Sequence, residues 1–144
     1  QHTFDLVRNH YDRIVQFSFG FLLFYPLREL FLRVSNTKGF WGLYIPIEFV
    51  LAFSAIYEIL EWIVALVYGG DLGVAYLGTQ GDEWDAIKDM ALAGGGAFIA
   101  AIVVLLILFA YRKGGFWQEF KASFRVRQTA PLGEQALEAI QRKV

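Results

Sequence analysis

The 144-residue chain is 56% hydrophobic and 17% aromatic, and its mean hydropathy is +0.42. Soluble domains are about 45–50% apolar, so this composition indicates a membrane protein, and the length indicates a single domain. The formal net charge of −1 excludes a nucleic-acid binder, which carries a basic face. The chain has no cysteine, which excludes disulfides and thiolate sites. Its two histidines leave little room for a His-rich metal site.

Three apolar runs are long enough to cross a bilayer, which takes about 20 residues of α-helix. They cover about residues 14–34, 40–68 and 84–111. The third contains AFIAAIVVLLILFAY, which lacks the polar face that a helix of a soluble bundle keeps. A soluble bundle with a large core is the alternative. We predict an all-α, multi-pass transmembrane helical bundle over 1–113 and a tail over 114–144 that ends in a short amphipathic helix.

Basic residues orient these spans. Arg33 and Lys38 occupy the turn between the first two spans. The segment after the third span carries five more: Arg112, Lys113, Lys121, Arg125 and Arg127. The connection over 69–81 has neither Lys nor Arg. Because short basic segments stay in the cytoplasm, we predict a multi-pass protein of the inner (plasma) membrane with a cytoplasmic carboxyl terminus. Membrane lipids are the expected partners, and further membrane subunits are an open alternative.

Acidic residues gather at the opposite, outward-facing ends of the spans. Glu58 and Glu61 are three positions apart, so their side chains leave the second helix on one side. Asp82, Asp85 and Asp89 are spaced by three and four positions, so they share one side of the third helix. Asp82 is alternatively the N-cap of that helix. The pattern predicts a carboxylate-rich polar site near the outer membrane interface.

Further polar residues lie around this site or along the first span. We group them as a structural polar network: His10, Asp12, Arg13, Gln16, Arg28, Glu29 and Lys88. Arg28 and Glu29 belong to the other, cytoplasmic end of the first span, where the long Arg28 side chain can extend to the headgroups. The acidic cluster has an alternative, purely structural role, in which a network of ion pairs and hydrogen bonds fixes how the helices pack.

Carboxylates within a membrane span need a partner. A charged side chain costs about 2.5–3.5 kcal/mol near the bilayer centre, so such groups are paired, protonated or metal-bound. Mg²⁺, Mn²⁺ and Zn²⁺ all bind carboxylate oxygens. The sequence does not identify a cofactor, and a divalent metal is the candidate. The candidate catalytic residues are Asp82, Asp85, Asp89, Glu58 and Glu61. The candidate metal ligands are Asp82, Asp85, Asp89 and Glu61.

Three consecutive glycines, Gly94, Gly95 and Gly96, lie within the third span. Small residues allow transmembrane helices to approach closely, so this segment predicts a packing face for a neighbouring helix. A flexible hinge and a substrate groove are the alternatives.

Three motifs of the chain resemble one family. They are RNHYDR followed by FSFGFL and YPLRE, then SAIYEILEW, and then YLGTQGDEWDAIKDM. Over about residues 7–111 they match the pattern of the YjdF-type predicted inner-membrane proteins, a family of unknown function. More remotely, the chain resembles the VanZ-like membrane proteins, which are linked to glycopeptide-antibiotic resistance. The resemblance implies an inner-membrane location and does not imply an activity.

Two features depart from the family pattern. Family members usually carry His where this chain has Gln16. Gln is not a general base and is a poor metal ligand, so chemistry that depends on this His is in doubt. Members also usually have further spans before RNHYDR, and the first residue here is Gln. We therefore expect the chain to be a fragment or a reduced version of a longer protein.

Three functions are compatible with these patterns. The first is a metal-dependent enzyme that acts on lipid or lipid-linked phosphate, with one Asp or Glu as the base. The second is a structural or accessory subunit of a larger membrane complex, which the small size and the 14 Phe residues favour. The third is an ion or proton path through paired acids, which the absence of polar residues along the third span opposes. The sequence does not identify the substrate, the metal or the oligomeric state.

Overall fold

The computed structural model describes residues 2–68, 70, 84–111, 115–125 and 140–142, with side chains from residue 11 onward except at position 68. Four α-helices are delimited within these residues. The helices are α1 (His2–Ser35), α2 (Trp41–Tyr68), α3 (Asp85–Tyr111) and α4 (Gly115–Ala122). No strand occurs within these described ranges, and the all-α class is confirmed.

Three helices are long and apolar enough to cross a membrane: Tyr11–Ser35 within α1, Trp41–Val67 within α2, and all of α3. Each contains 25 to 27 residues, or about 38–40 Å at a rise of about 1.5 Å per residue. This length exceeds the bilayer hydrocarbon core of about 30 Å. The predicted three-span helical bundle is confirmed, and α1 continues beyond its apolar part as far back as His2.

Helices α1 and α3 make the most extensive helix–helix contact of the bundle. Glycines bring the two backbones together: a methyl group added at Gly20 would overlap the Ala93 carbonyl, and one at Gly96 would overlap the Phe17 carbonyl. Hydrophobic burial does not drive association in lipid, so transmembrane helices rely on such close packing. We call this contact the α1–α3 crossing.

The predicted glycine face of α3 serves two neighbours rather than one. Gly96 faces α1, whereas a Cβ at Gly94 would lie 2.7 Å from the Leu51 side chain of α2. A Cβ at Gly95 would meet no other atom within 4 Å. The close-approach prediction therefore describes Gly94 and Gly96, while Gly95 has no packing role among the described residues.

The core of the bundle combines small residues of α3 with a few larger side chains of α1 and α2. Its buried members are Phe24, Leu27, Val50, Ala93, Ala97, Ala100 and Ala101. Most large apolar side chains of the spans point outward instead, for example Leu22, Ile63 and Leu106. That distribution suits helices whose outer surfaces meet lipid tails.

Helix α4 lies against the turn between α1 and α2. The Phe40 backbone N–H donates to the Ser123 hydroxyl at 3.2 Å, and Trp41 Nε1 donates to the Ser123 carbonyl at 2.9 Å. Gly39 has a φ of 64°, and a Cβ there would lie 2.6 Å from the Glu119 carbonyl oxygen, so both the turn and the contact require glycine. We call this region the basic end of the bundle.

Helix α4 lies at the start of the segment 114–144, which the sequence predicts as a tail with a helix only at its end. The amphipathic helix predicted over 133–144 lies outside the described residues except at 140–142.

Candidate functional site

Three aspartates meet at the end of the bundle opposite α4, which we call the acidic end. Asp12 comes from α1, and Asp85 and Asp89 come from the first two turns of α3. One carboxylate oxygen from each of these side chains lies within 4.8 Å of the other two. Asp85 and Asp89 share one side of α3 because they are four residues apart, and the α1–α3 crossing brings Asp12 to the same place. We call these residues the aspartate trio.

The trio is held partly inside the bundle. Asp85 is 7% exposed and Asp89 is 4% exposed, whereas Asp12 is exposed. The Oδ1 atom of Asp89 is buried and has no hydrogen-bond partner among the described residues. A buried polar atom without a partner costs about 1–3 kcal/mol, and more if it is charged. This oxygen is therefore placed to accept a proton or a cation.

Two glutamates of α2 lie beside the trio. The carboxyl group of Glu58 is within electrostatic range of Asp12, Asp85 and Asp89. Glu61 is within the same range of Asp12 and Asp85. The Gln16 amide of α1 donates a hydrogen bond to Glu58 Oε1 at 3.4 Å, which links the two helices at this depth.

Negative charge exceeds positive charge among the described side chains of the acidic end. Five carboxyl groups gather there, and Arg13 interacts with Asp89. Lys88 lies on the exposed side of α3. Carboxylates that share a site repel one another, so a bound proton or cation stabilises this arrangement. The chemistry of the donor set, with oxygen ligands alone, suits hard divalent cations.

The predicted site residues fall into three groups in the structure. Glu58, Glu61, Asp85 and Asp89 converge on the acidic end as described above. Asp82 lies outside the described residues, as does the side chain of His10.

Arg28 and Glu29 belong to the basic end instead. Arg28 lies 3.8 Å from Glu29, and Glu29 lies 3.3 Å from Arg33. These residues form a separate ion-pair group, some four turns of α1 away from Asp12.

Sequence reasoning placed Asp12 in the polar network rather than among the metal ligands. In the structure it completes the trio, and Glu61 lies beside the trio. The available signal was the spacing of Asp12 and Gln16, four residues apart on one side of α1. Ser54, an intramembrane hydroxyl predicted to hydrogen-bond between helices, is 1% exposed, and its hydroxyl has no hydrogen-bond partner among the described residues.

Comparison with known proteins places the chain in a family. No solved structure matches it. It is 36% identical over 103 residues to inner membrane protein YjdF of Escherichia coli K12, which covers 71% of this chain and 49% of that protein. The chain thus spans about half the length of this relative. The family model described as predicted membrane protein (DUF2238) matches residues 2–110. Together with the three apolar helices, these matches support a membrane location, and the chain belongs to the DUF2238 family of predicted membrane proteins.

Proposed function

We propose that the acidic end binds a divalent cation through the aspartate trio and presents it to the phosphate of a membrane lipid or lipid-linked molecule. The observation that supports this most directly is the buried Oδ1 of Asp89, which has no hydrogen-bond partner among the described residues. One carboxylate oxygen from each of Asp12, Asp85 and Asp89 lies within 4.8 Å of the other two. Mg²⁺ is commonly held by one or two carboxylates together with phosphate oxygens.

The orientation is part of the proposal. The turn before α2 and the segment after α3 carry the basic residues, which favours their location in the cytoplasm. The acidic end then faces the outer surface of the inner membrane. A cation held there meets phosphates of the outer leaflet at headgroup depth.

Hydrolysis of a phosphate ester is the reaction that this arrangement favours, because Glu58 and Glu61 lie beside the trio without belonging to it. A bound divalent cation supplies Lewis acidity to the phosphoryl group. A water oxygen attacks phosphorus, and one of these glutamates accepts the water proton. The phosphorus–oxygen bond to the alcohol breaks, and the alcohol oxygen takes up a proton.

Asp89→Asn tests the cation site with little change in side-chain shape. We expect this variant to bind Mn²⁺ at least about tenfold more weakly than the wild type, since even outer-shell partners of metal sites contribute 10- to 100-fold. Titration calorimetry on the detergent-solubilised full chain measures the affinity. Glu29→Gln is the matched control, because it also removes one carboxylate of a span but at the basic end. Equal Mn²⁺ affinity in Asp89→Asn and the wild type would rule out the site.

The hydrolysis step has its own readout. Release of phosphate or of a phosphorylated headgroup from mixed lipids, measured with Mn²⁺ present, should stop in a Glu58→Gln, Glu61→Gln double variant that still binds Mn²⁺. Turnover at the wild-type rate in that variant would remove the glutamates from the mechanism and leave the cation site standing.

The other functions predicted from sequence receive less support. An ion path across the bundle needs polar groups along the helices, but α3 has no charged residue from Met90 to Tyr111. The role as an accessory subunit and the remote resemblance to VanZ-like proteins stay predictions.

A further inference from the structure

A groove of about 550 Å³ runs between α1 and α2. We call it the α1–α2 groove. Its apolar lining comes from one side of each helix, at spacings of three and four residues: Val15, Phe19, Leu23, Phe53, Ile56 and Leu60. An apolar lining in a membrane does not by itself select a ligand, because lipid tails surround the whole bundle. The polar residues of the groove supply the selection.

One end of the groove opens at the aspartate trio. Asp12 lines the groove and also belongs to the trio. Gln16, one turn further along α1, lines the groove and donates a hydrogen bond to Glu58. A molecule that lies in the groove therefore has its end beside the proposed cation.

The length of the groove matches one leaflet of a bilayer. Asp12 and Leu23 mark its two ends on α1, and they are separated by about 16 Å at a rise of about 1.5 Å per residue. The hydrocarbon core of a bilayer is about 30 Å thick, so the groove reaches from the headgroup layer to about the middle of the membrane. This depth is that of a single hydrocarbon chain belonging to the leaflet on the acidic side.

We propose that the α1–α2 groove holds the acyl chain of a phosphate-bearing lipid, with its phosphate at the aspartate trio. The acyl-chain position rests on the length and depth of the groove and on Asp12 and Gln16 at its acidic end, whereas the phosphate position rests on the function proposed above. The substrate class is therefore a lipid that has a hydrocarbon chain of single-leaflet length and a phosphate accessible from the acidic side.

Photo-crosslinking tests this placement in nanodiscs that contain the full chain. The probe is a phosphatidic acid with a diazirine in its acyl chain, diluted in phosphatidylcholine and supplied with Mn²⁺. We expect cross-links concentrated on the groove-lining positions of α1 and α2, and fewer on the lipid-facing side of α3. Cross-links spread evenly over the three helices would overturn the proposal.

A pair of isoleucines provides the matched variants. Ile56 and Ile59 lie on α2 and are 51% and 53% exposed, but of the two only Ile56 lines the groove. Ile56→Trp should fill the groove and reduce cross-linking at least about tenfold, in line with the 1–3 kcal/mol that overfilling a packed site costs. Ile59→Trp should leave the yield unchanged. Equal yields from the two variants would overturn the proposal.

Mn²⁺ affinity separates the groove from the cation site. Ile56→Trp should retain wild-type Mn²⁺ affinity, because it leaves the three aspartates of the trio unchanged. If Asp89→Asn keeps both Mn²⁺ binding and groove cross-linking, the cation site fails while the groove stands. If Mn²⁺ binding depends on Asp89 but the groove variants change nothing, the groove fails while the cation site stands.

Discussion

The two ends of the bundle both carry carboxylates within membrane-spanning helices, but they balance them differently. At the basic end, Glu29 lies 3.3 Å from Arg33, four residues later on the same helix, and 3.8 Å from Arg28. At the acidic end, carboxyl groups from three helices gather, and the buried Oδ1 of Asp89 has no hydrogen-bond partner among the described residues. At the basic end the carboxylate is paired with arginines of its own helix, whereas at the acidic end carboxyl groups of different helices lie close to one another.

Two close backbone contacts, Gly20 with Ala93 and Gly96 with Phe17, position the carboxylates of the acidic end. These backbone contacts set how near α1 lies to α3, and hence how near Asp12 lies to Asp89. The largest expected effect therefore comes from a single methyl group at the α1–α3 crossing.

Gly96→Ala should destabilise the bundle by about 1–3 kcal/mol or more, because the new Cβ overlaps a backbone carbonyl rather than a movable side chain. Thermal unfolding in detergent measures the effect. Gly95→Ala adds the same methyl group to the same helix in open space, and it should be tolerated. Equal melting temperatures for the two variants would show that the crossing does not hold the bundle together.

Mn²⁺ should stabilise the folded protein, and it should do so through the acidic end. At a concentration of about 100 times Kd, a ligand that binds only the folded state contributes about 2.7 kcal/mol. The ligands must be deprotonated to bind metal, so this stabilisation should be greatest at neutral to alkaline pH and should be lost as the pH falls. Melting curves with and without Mn²⁺ from alkaline to acidic pH provide the measurement. A shift that is unchanged at acidic pH would argue for binding elsewhere.

Ser123→Ala should loosen α4 from the turn at the basic end. The hydroxyl accepts a hydrogen bond from the Phe40 N–H at 3.2 Å and donates one to the Phe120 carbonyl at 2.6 Å. Loss of these bonds should cost about 1 kcal/mol and speed amide exchange in α4 without changing Mn²⁺ affinity. A change in Mn²⁺ affinity would mean that the two ends are energetically coupled.

Arg33→Gln should have the smallest effect. The Arg33 side chain is 80% exposed and pairs with Glu29 four residues away, and such pairs contribute about 0.3–0.5 kcal/mol. The melting temperature should change by about 1–2 °C, the shift expected for a domain of this size. A much larger loss would show that the basic end also depends on a network of charges.

The sequence was sufficient to predict the three long helices, because their apolar runs are long and two of them contain few charges. It also indicated that Glu58, Glu61, Asp85 and Asp89 lie at one end, since helix order and direction determine that end. It did not indicate which carboxylates come within ligand distance. That depends on how α1 rotates against α3 at the close contacts of Gly20 and Gly96, and the sequence pattern does not specify this rotation.

Helix α4 was missed for a related reason. It has eight residues, too few for a clear periodic pattern, and much of its contact comes from aromatic rings that pack on Phe40. Phe120 and Phe124 lie 5.9 and 5.0 Å from that ring. Contacts of this kind are visible only once the turn before α2 is positioned.

The α1–α3 crossing also has a mechanical consequence. At Gly20 it lies eight residues, or about 12 Å along α1, from Asp12. When α1 tilts about the crossing, Asp12 therefore moves relative to the two aspartates of α3. A tilt of about 5° about this point moves Asp12 by about 1 Å, which is several times the tolerance of about 0.2 Å on metal–ligand distances. Bilayer thickness influences helix tilt. If the trio binds a cation as proposed, a thinner or thicker membrane should therefore change the affinity for that cation.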